Sequence, residues 1–194
     1  MTYLPTFAYC TPAQRWAVLH AAGVDPLTCP PTTLDTFDPG NLRHRRLLYF
    51  SLHGIPGQPF WYGADHITAM SVSAFQGLDL SDTIVFVTNC HLPETPFLDA
   101  ILECKPRFLV GGQGVNFTRG HSIVGAHLLG YLFRLAIELR IAPAHALAMA
   151  KFTLTTRTDY MQERAKRTKS RSAKRRIAED IAANQDALQF TAFT

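Results

Sequence analysis

The chain has little that would set it apart from an ordinary globule. None of its hydrophobic runs approaches the roughly 20 residues needed to span a bilayer. The opening Met1-Thr2-Tyr3-Leu4-Pro5 lacks the basic stretch and apolar core of a secretory leader, so a cytoplasmic location is expected. Cysteine is scarce: Cys10, Cys29, Cys90 and Cys104 are widely scattered and form no CxxC pair. That spacing excludes zinc-ribbon patterns and argues against a disulfide scaffold, leaving four free thiols as the expectation. Charge is sparse as well, 18% against 47% hydrophobic residues, which suits a single domain over residues 1–194 with a sizeable core. A phosphate-binding loop is also missing. Gly111-Gly112-Gln113-Gly114 has no following Lys-Ser/Thr and does not match GxGxxG, so nucleotide binding is not indicated.

The net charge of +4 is a local property. Residues 160–176 hold eight of the nineteen Lys and Arg residues and one acid, Glu163, for a balance of +7. Eleven cations against fourteen acids remain elsewhere, a balance of −3. A run such as Arg164, Lys166, Arg167, Lys169, Arg171, Lys174, Arg175 and Arg176 reads first as a solvated helix or loop. Docking to an acidic protein partner or to nucleic acid is the second reading. No aromatic residue interleaves the run, so a nucleic-acid contact through it would be to phosphate and salt-sensitive. A self-processing site is the third.

Two apolar runs organise the rest. Residues 46–52 end at His53-Gly54, and Thr83-Ile84-Val85-Phe86-Val87-Thr88 ends at Asn89-Cys90-His91. Both are short, rich in β-branched or aromatic residues and bounded by turn formers, which predicts buried strands. Around them we expect a strand over residues 3–9 and a helix from Thr11-Pro12 to a stop at Gly23. An irregular connection with four prolines follows over residues 24–45, then a short hairpin strand at Phe60-Trp61-Tyr62-Gly63 lining the space above His53. Further on we expect a helix over 97–103, a strand at 108–111, a buried helix over 123–140 and a helix over 144–152. A basic helix or loop over 160–183 and a final edge-type strand over 187–193, from period-two alternation, close the chain. Strands and helices in alternation predict an α/β fold with a mainly parallel central sheet flanked by helices.

If the two runs lie parallel, His53 and Cys90 emerge together at the carboxyl edge of the sheet, where open α/β sheets place their sites. A thiolate is the stronger nucleophile, and a nearby imidazole stabilises it. Gly54 and Cys90 offer backbone N–H groups for an oxyanion, and Gly54 has no side chain to obstruct the approach. Taken singly, Cys90 reads as an inert thiol; its placement beside His53 gives the dyad its weight. His91 adjoins Cys90, but neighbours on an extended chain point to opposite faces, so it is a poor alternative base. His121, His127 and Cys104 have no metal-ligand spacing, and no metal is expected. Asn116-Phe117-Thr118 matches a glycosylation acceptor, which has no meaning in the cytoplasm.

Tyr49-Phe50-Ser51-Leu52-His53-Gly54 resembles the strand-His-Gly motif of the caspase-like cysteine peptidases, and Ile84-Val85-Phe86-Val87-Thr88-Asn89-Cys90 resembles their strand-ending cysteine. The order that follows, with Arg107-Phe108-Leu109-Val110-Gly111, a long helix, Pro143-Ala144-His145-Ala146-Leu147 and a closing strand, is similar to the CHAT-domain branch. The likeness covers residues 45–155 and the tail. It implies a caspase-like three-layer sandwich and a hydrolase of the cysteine-peptidase type, a protease needing no metal or organic cofactor. His53 and Cys90 would be the catalytic dyad, with Gly54 and Cys90 as oxyanion hole. Thr88, two positions before the cysteine, stands where members specific for basic residues carry an acid, which points to a neutral side chain in the substrate. Trp61 and Gln113 join Thr88 as candidate substrate contacts. Protein or peptide substrates and a regulatory protein partner are the expected partners. A catalytically silent caspase-like module that serves as a scaffold is the alternative.

Overall fold

In the computed structural model, which describes residues 4–116 and 122–193, the chain is an α/β structure built on a six-stranded sheet. The strands are β1 (Thr6–Cys10), β2 (Leu27–Thr28), β3 (Leu47–Ser51), β7 (Ile84–Val87), β8 (Phe108–Gly111) and β9 (Thr191–Phe193), in spatial order β2-β1-β3-β7-β8-β9. The first five run parallel and β9 closes the edge antiparallel to β8. β4 (His53–Gly54), β5 (Phe60–Tyr62) and β6 (Thr68–Ser71) form a small antiparallel sheet of their own.

Alternation along each central strand explains the layering. Ala8, Tyr49, Phe86 and Val110 face one side, where α1 (Arg15–Ala22), α3 (Gly125–Glu138), α4 (Pro143–Arg167) and α5 (Arg171–Leu188) pack. Tyr9, Phe50, Val87 and Leu109 face the other, against Trp61, Phe75 and the Phe97 of α2 (Phe97–Glu103). Being covered on both faces is why these strands read as unbroken hydrophobic runs. Helix α3 meets the expectation of a buried helix, with no residue more than partly exposed. Gly23 ends α1 in the left-handed region, φ 74°, as its position predicted.

Two expectations are corrected at the carboxyl end. The helix from Pro143 does not stop at Phe152; it runs unbroken to Arg167, because residues 153–167 contain no Gly or Pro and include good helix formers. The basic run is therefore a helical hairpin, with Thr168 in extended conformation and Ser170 capping α5 by accepting from the Ala173 N–H. The alternation over 187–193 was misleading: Ala187 and Leu188 finish α5, and only Thr191–Phe193 is strand. Burial at Ile177, Ala183, Asn184 and Ala187 has helical spacing, and that periodicity prevails.

Candidate active site

The register sets where the functional groups fall. Cys10 pairs with Ser51, Phe50 with Val87, and Val87 with Gly111, so β1, β3, β7 and β8 end side by side. The segments leaving those ends (Thr11 to Gln14, Leu52 to Gly54, Thr88 to His91 and Gly112 to Asn116) share the carboxyl edge of the sheet. His53 is not the last residue of the parallel strand, as expected. It opens β4, which pairs Gly54 with Trp61.

The His53 and Cys90 segments are in contact. A methyl group on Gly54 would sit 2.2 Å from the Cys90 carbonyl oxygen and 3.6 Å from Cβ of Asn89. The glycine is required here by close approach of two backbones. Asn89, fully buried, ties the same segments by accepting the Leu52 N–H on Oδ1 at 2.8 Å. Further out, the Gly57 N–H donates to the Glu94 carbonyl at 2.7 Å, joining the loops beyond the two candidates.

Cys90 is the half-buried thiol; the other three are buried. Burial pushes Cys10 up to about 12 and also raises Cys29 and Cys104. Sγ of Cys90 accepts the backbone N–H of Asn116 at 3.3 Å. No hydrogen bond joins Sγ to the His53 ring among the described residues. The Cys90 N–H makes no backbone hydrogen bond among them either. His53 is exposed at its outer side, yet surrounding protein and then His66, ring to ring at 6.4 Å, lower its pKa. A neutral imidazole at physiological pH is in the form that takes a proton.

The substrate-contact candidates separate. Gln113 is exposed on the loop after β8. Thr88 is buried; its hydroxyl lies 2.8 Å from Oγ of Ser51 and 3.1 Å from the Phe50 carbonyl, and Ser51 in turn donates to Oε1 of Gln14. Trp61 is a correction. It is fully buried and stacks on Phe97 with ring centroids 3.9 Å apart, so it belongs to the core and supports β5 from below. His91 turns out to be left-handed, φ 56°, not extended, and its Nδ1 is held by Glu94 at 2.8 Å. His127 and Cys104 do not meet: His127 lies against Tyr49, and Cys104 donates to the Phe75 carbonyl. His121 lies outside the described residues. No group of three His, Cys, Asp or Glu side chains among the described residues is arranged to hold a metal. A cleft of about 390 Å³ at Pro5, Arg46, Ile84 and Arg107 lies by the amino ends of the strands and has no thiol or hydroxyl side chain in its lining.

Asn116 is the functional candidate that sequence reading missed, having seen in it only a glycosylation pattern. Its Nδ2 donates to the Thr88 and Asn89 carbonyls at 3.1 and 3.0 Å while its own N–H meets Cys90. Gly112 makes room, since a Cβ there would lie 2.4 Å from that Nδ2. The available signal was its position, a short polar residue soon after the glycine-rich exit of β8. Asn116→Ala removes two hydrogen bonds worth about 1 kcal/mol each. Denaturant titration should therefore show a loss of about 1–2 kcal/mol; unchanged stability would mean that the amide does not tie the loop after β8 to the Thr88–Asn89 turn. No helix of the described residues is long and apolar enough to cross a membrane. No family model matches this chain, and no curated protein matches it.

Proposed function

We propose that the chain is a cysteine endopeptidase on a caspase-like, CHAT-type sandwich, hydrolysing peptide bonds with Cys90 and His53. The observation that carries the reading is the backbone contact of Gly54 with the Cys90 carbonyl, which brings the two candidates to one point of the sheet edge. The Cys90 thiolate attacks the scissile carbonyl carbon and a C–S bond forms, with the oxyanion facing the N–H groups of Cys90 and Gly54. His53, having taken the thiol proton, gives it to the leaving amine as the C–N bond breaks. Water, deprotonated by His53, then attacks the acyl carbon; the C–S bond breaks, the acid leaves, and His53 returns the proton to sulfur. Thr88, two positions before Cys90, carries no charge, which suits an uncharged substrate side chain. Four unpaired cysteines suit a protease module working inside the cell under the control of a protein partner.

A second reading, a catalytically silent scaffold of the same fold, is favoured by the Cys90 sulfur accepting from Asn116 with no bond to His53. One experiment separates them. Wild type and Cys90→Ala are incubated with a mixed-sequence peptide library and the products read by mass spectrometry. Cuts made by wild type alone are expected, and they reveal the preferred residue. If no cuts appear, iodoacetamide decides: an activated Cys90 alkylates well below pH 8, ahead of the three buried thiols, whereas a scaffold's does not.

A further inference from the structure

We propose that the α4–α5 hairpin binds single-stranded nucleic acid, holding phosphates in the cleft between the two helices and a base on Tyr160. The cleft, of about 330 Å³, is lined by Arg157 and Arg164 from α4 and Arg176 from α5, over Met161 and Ile177, with one carboxylate, Asp180. Guanidinium forks match phosphate oxygens in geometry as well as charge.

Two features point to an anionic ligand. The ion pairs of this hairpin engage Arg175 with Glu179 and Lys166 with Glu163; none among the described residues uses Arg157, Arg164 or Arg176. Secondly, α5 opens with Arg171 and Lys174 and has no acid in its first turn, so cations sit at the positive end of the helix dipole. Both arrangements disfavour the free protein and are relieved when phosphate arrives. The choice of nucleic acid over an acidic protein rests on Tyr160. It is 68% exposed and lies three residues from Arg157 and four from Arg164, hence beside both on the helix surface. An exposed ring among guanidinium groups is a stacking platform for an unpaired base, for which an acidic peptide has no counterpart.

The test is fluorescence anisotropy of the full chain with labelled oligo-dT and oligo-U of about 15 nucleotides. Three phosphates met by three arginines give a log–log salt slope of about −2, so a fourfold rise in salt should weaken binding about 20-fold. Arg164→Ala combined with Arg176→Ala should weaken binding about tenfold and flatten the slope to about −0.7. Tyr160→Ala should weaken it about tenfold and leave the slope unchanged. All three side chains are exposed, so the variants should fold. The proposal is overturned by absence of saturable binding at low salt or by affinity unchanged in either variant. It is also overturned if polyglutamate of equal charge competes as well as the oligonucleotide, which would assign the cleft to an acidic protein.

Discussion

On the proposed mechanism, Gly54→Ala is expected to reduce peptide cleavage by at least about 100-fold, and independently of it to destabilise the fold by roughly 1–3 kcal/mol. The added Cβ would lie 2.2 Å from the Cys90 carbonyl oxygen, far inside van der Waals contact, and the obstacle is backbone, which no rotamer change can move. Either β4 shifts away, taking His53 with it, or the turn carrying Cys90 does. A displacement near 1 Å at a reacting pair is sufficient for the rate loss. Neither segment yields freely, because Asn89 holds the Leu52 N–H and Asn116 holds the Thr88 and Asn89 carbonyls. Gly114→Ala is the matched control: it lies on the same sheet edge with nothing within 4 Å of its Cβ position, so its stability should stay within about 0.5 kcal/mol of wild type. Thermal unfolding, peptide cleavage and Cys90 alkylation of both variants check the argument. A Gly54→Ala protein indistinguishable from Gly114→Ala would show that the His53 and Cys90 segments are not locked together.

What could be read from the sequence was whatever a local pattern encodes. β3 and β7 were visible because strands covered on both faces need continuous apolar runs, and their parallel pairing was expected from alternation with helices. That pairing alone implies His53 and Cys90 on one edge. Three things were not legible, each for a physical reason. Trp61 looked like a cleft residue because aromatics serve cores and clefts alike; only the stack on Phe97 decides between them. The left-handed turn at His91, which redirects the chain after Cys90, depends on long-range bonds such as its N–H to the Gly114 carbonyl. Asn116 sits twenty-six residues from Cys90, and nothing in its own neighbourhood announces the amide it donates. At the carboxyl end the error was of another kind. Residues 187–193 satisfy a two-residue period by chance over a short window, while the helical period needs the longer span from Ile177 to be seen.

Acid should destabilise this protein through His127, by about 3 kcal/mol between neutral pH and pH 4. His127 is fully buried on α3, its Nδ1 lies 3.0 Å from the Tyr49 hydroxyl, and Nε2 has no partner among the described residues. Burial disfavours the imidazolium and lowers the pKa from 6.5 to about 4. The sign follows from proton counts. Below about 6.5 the unfolded chain takes up a proton at this residue, whereas the native state does so only near 4. The unfolded state therefore binds more protons across that window, and stability falls as pH falls through it. The loss is complete only below about pH 4, and above about 7 the residue contributes no pH dependence. His127→Gln stays neutral throughout and keeps a polar atom near Tyr49. Denaturant titrations of both proteins at about pH 7 and about pH 4.5 should show the wild type losing the greater stability, with other titrating groups cancelling. A gap between the two that does not change with pH would mean that this ring is solvated or already charged in the native state. The same helix packs against Tyr49 through His127 and against Phe86 through Phe133, side chains of the two strands that lead to His53 and Cys90. The native ring takes its proton only near pH 4, so loosening of the layer beneath the candidate site is expected there and not across the higher window, where only the unfolded chain titrates.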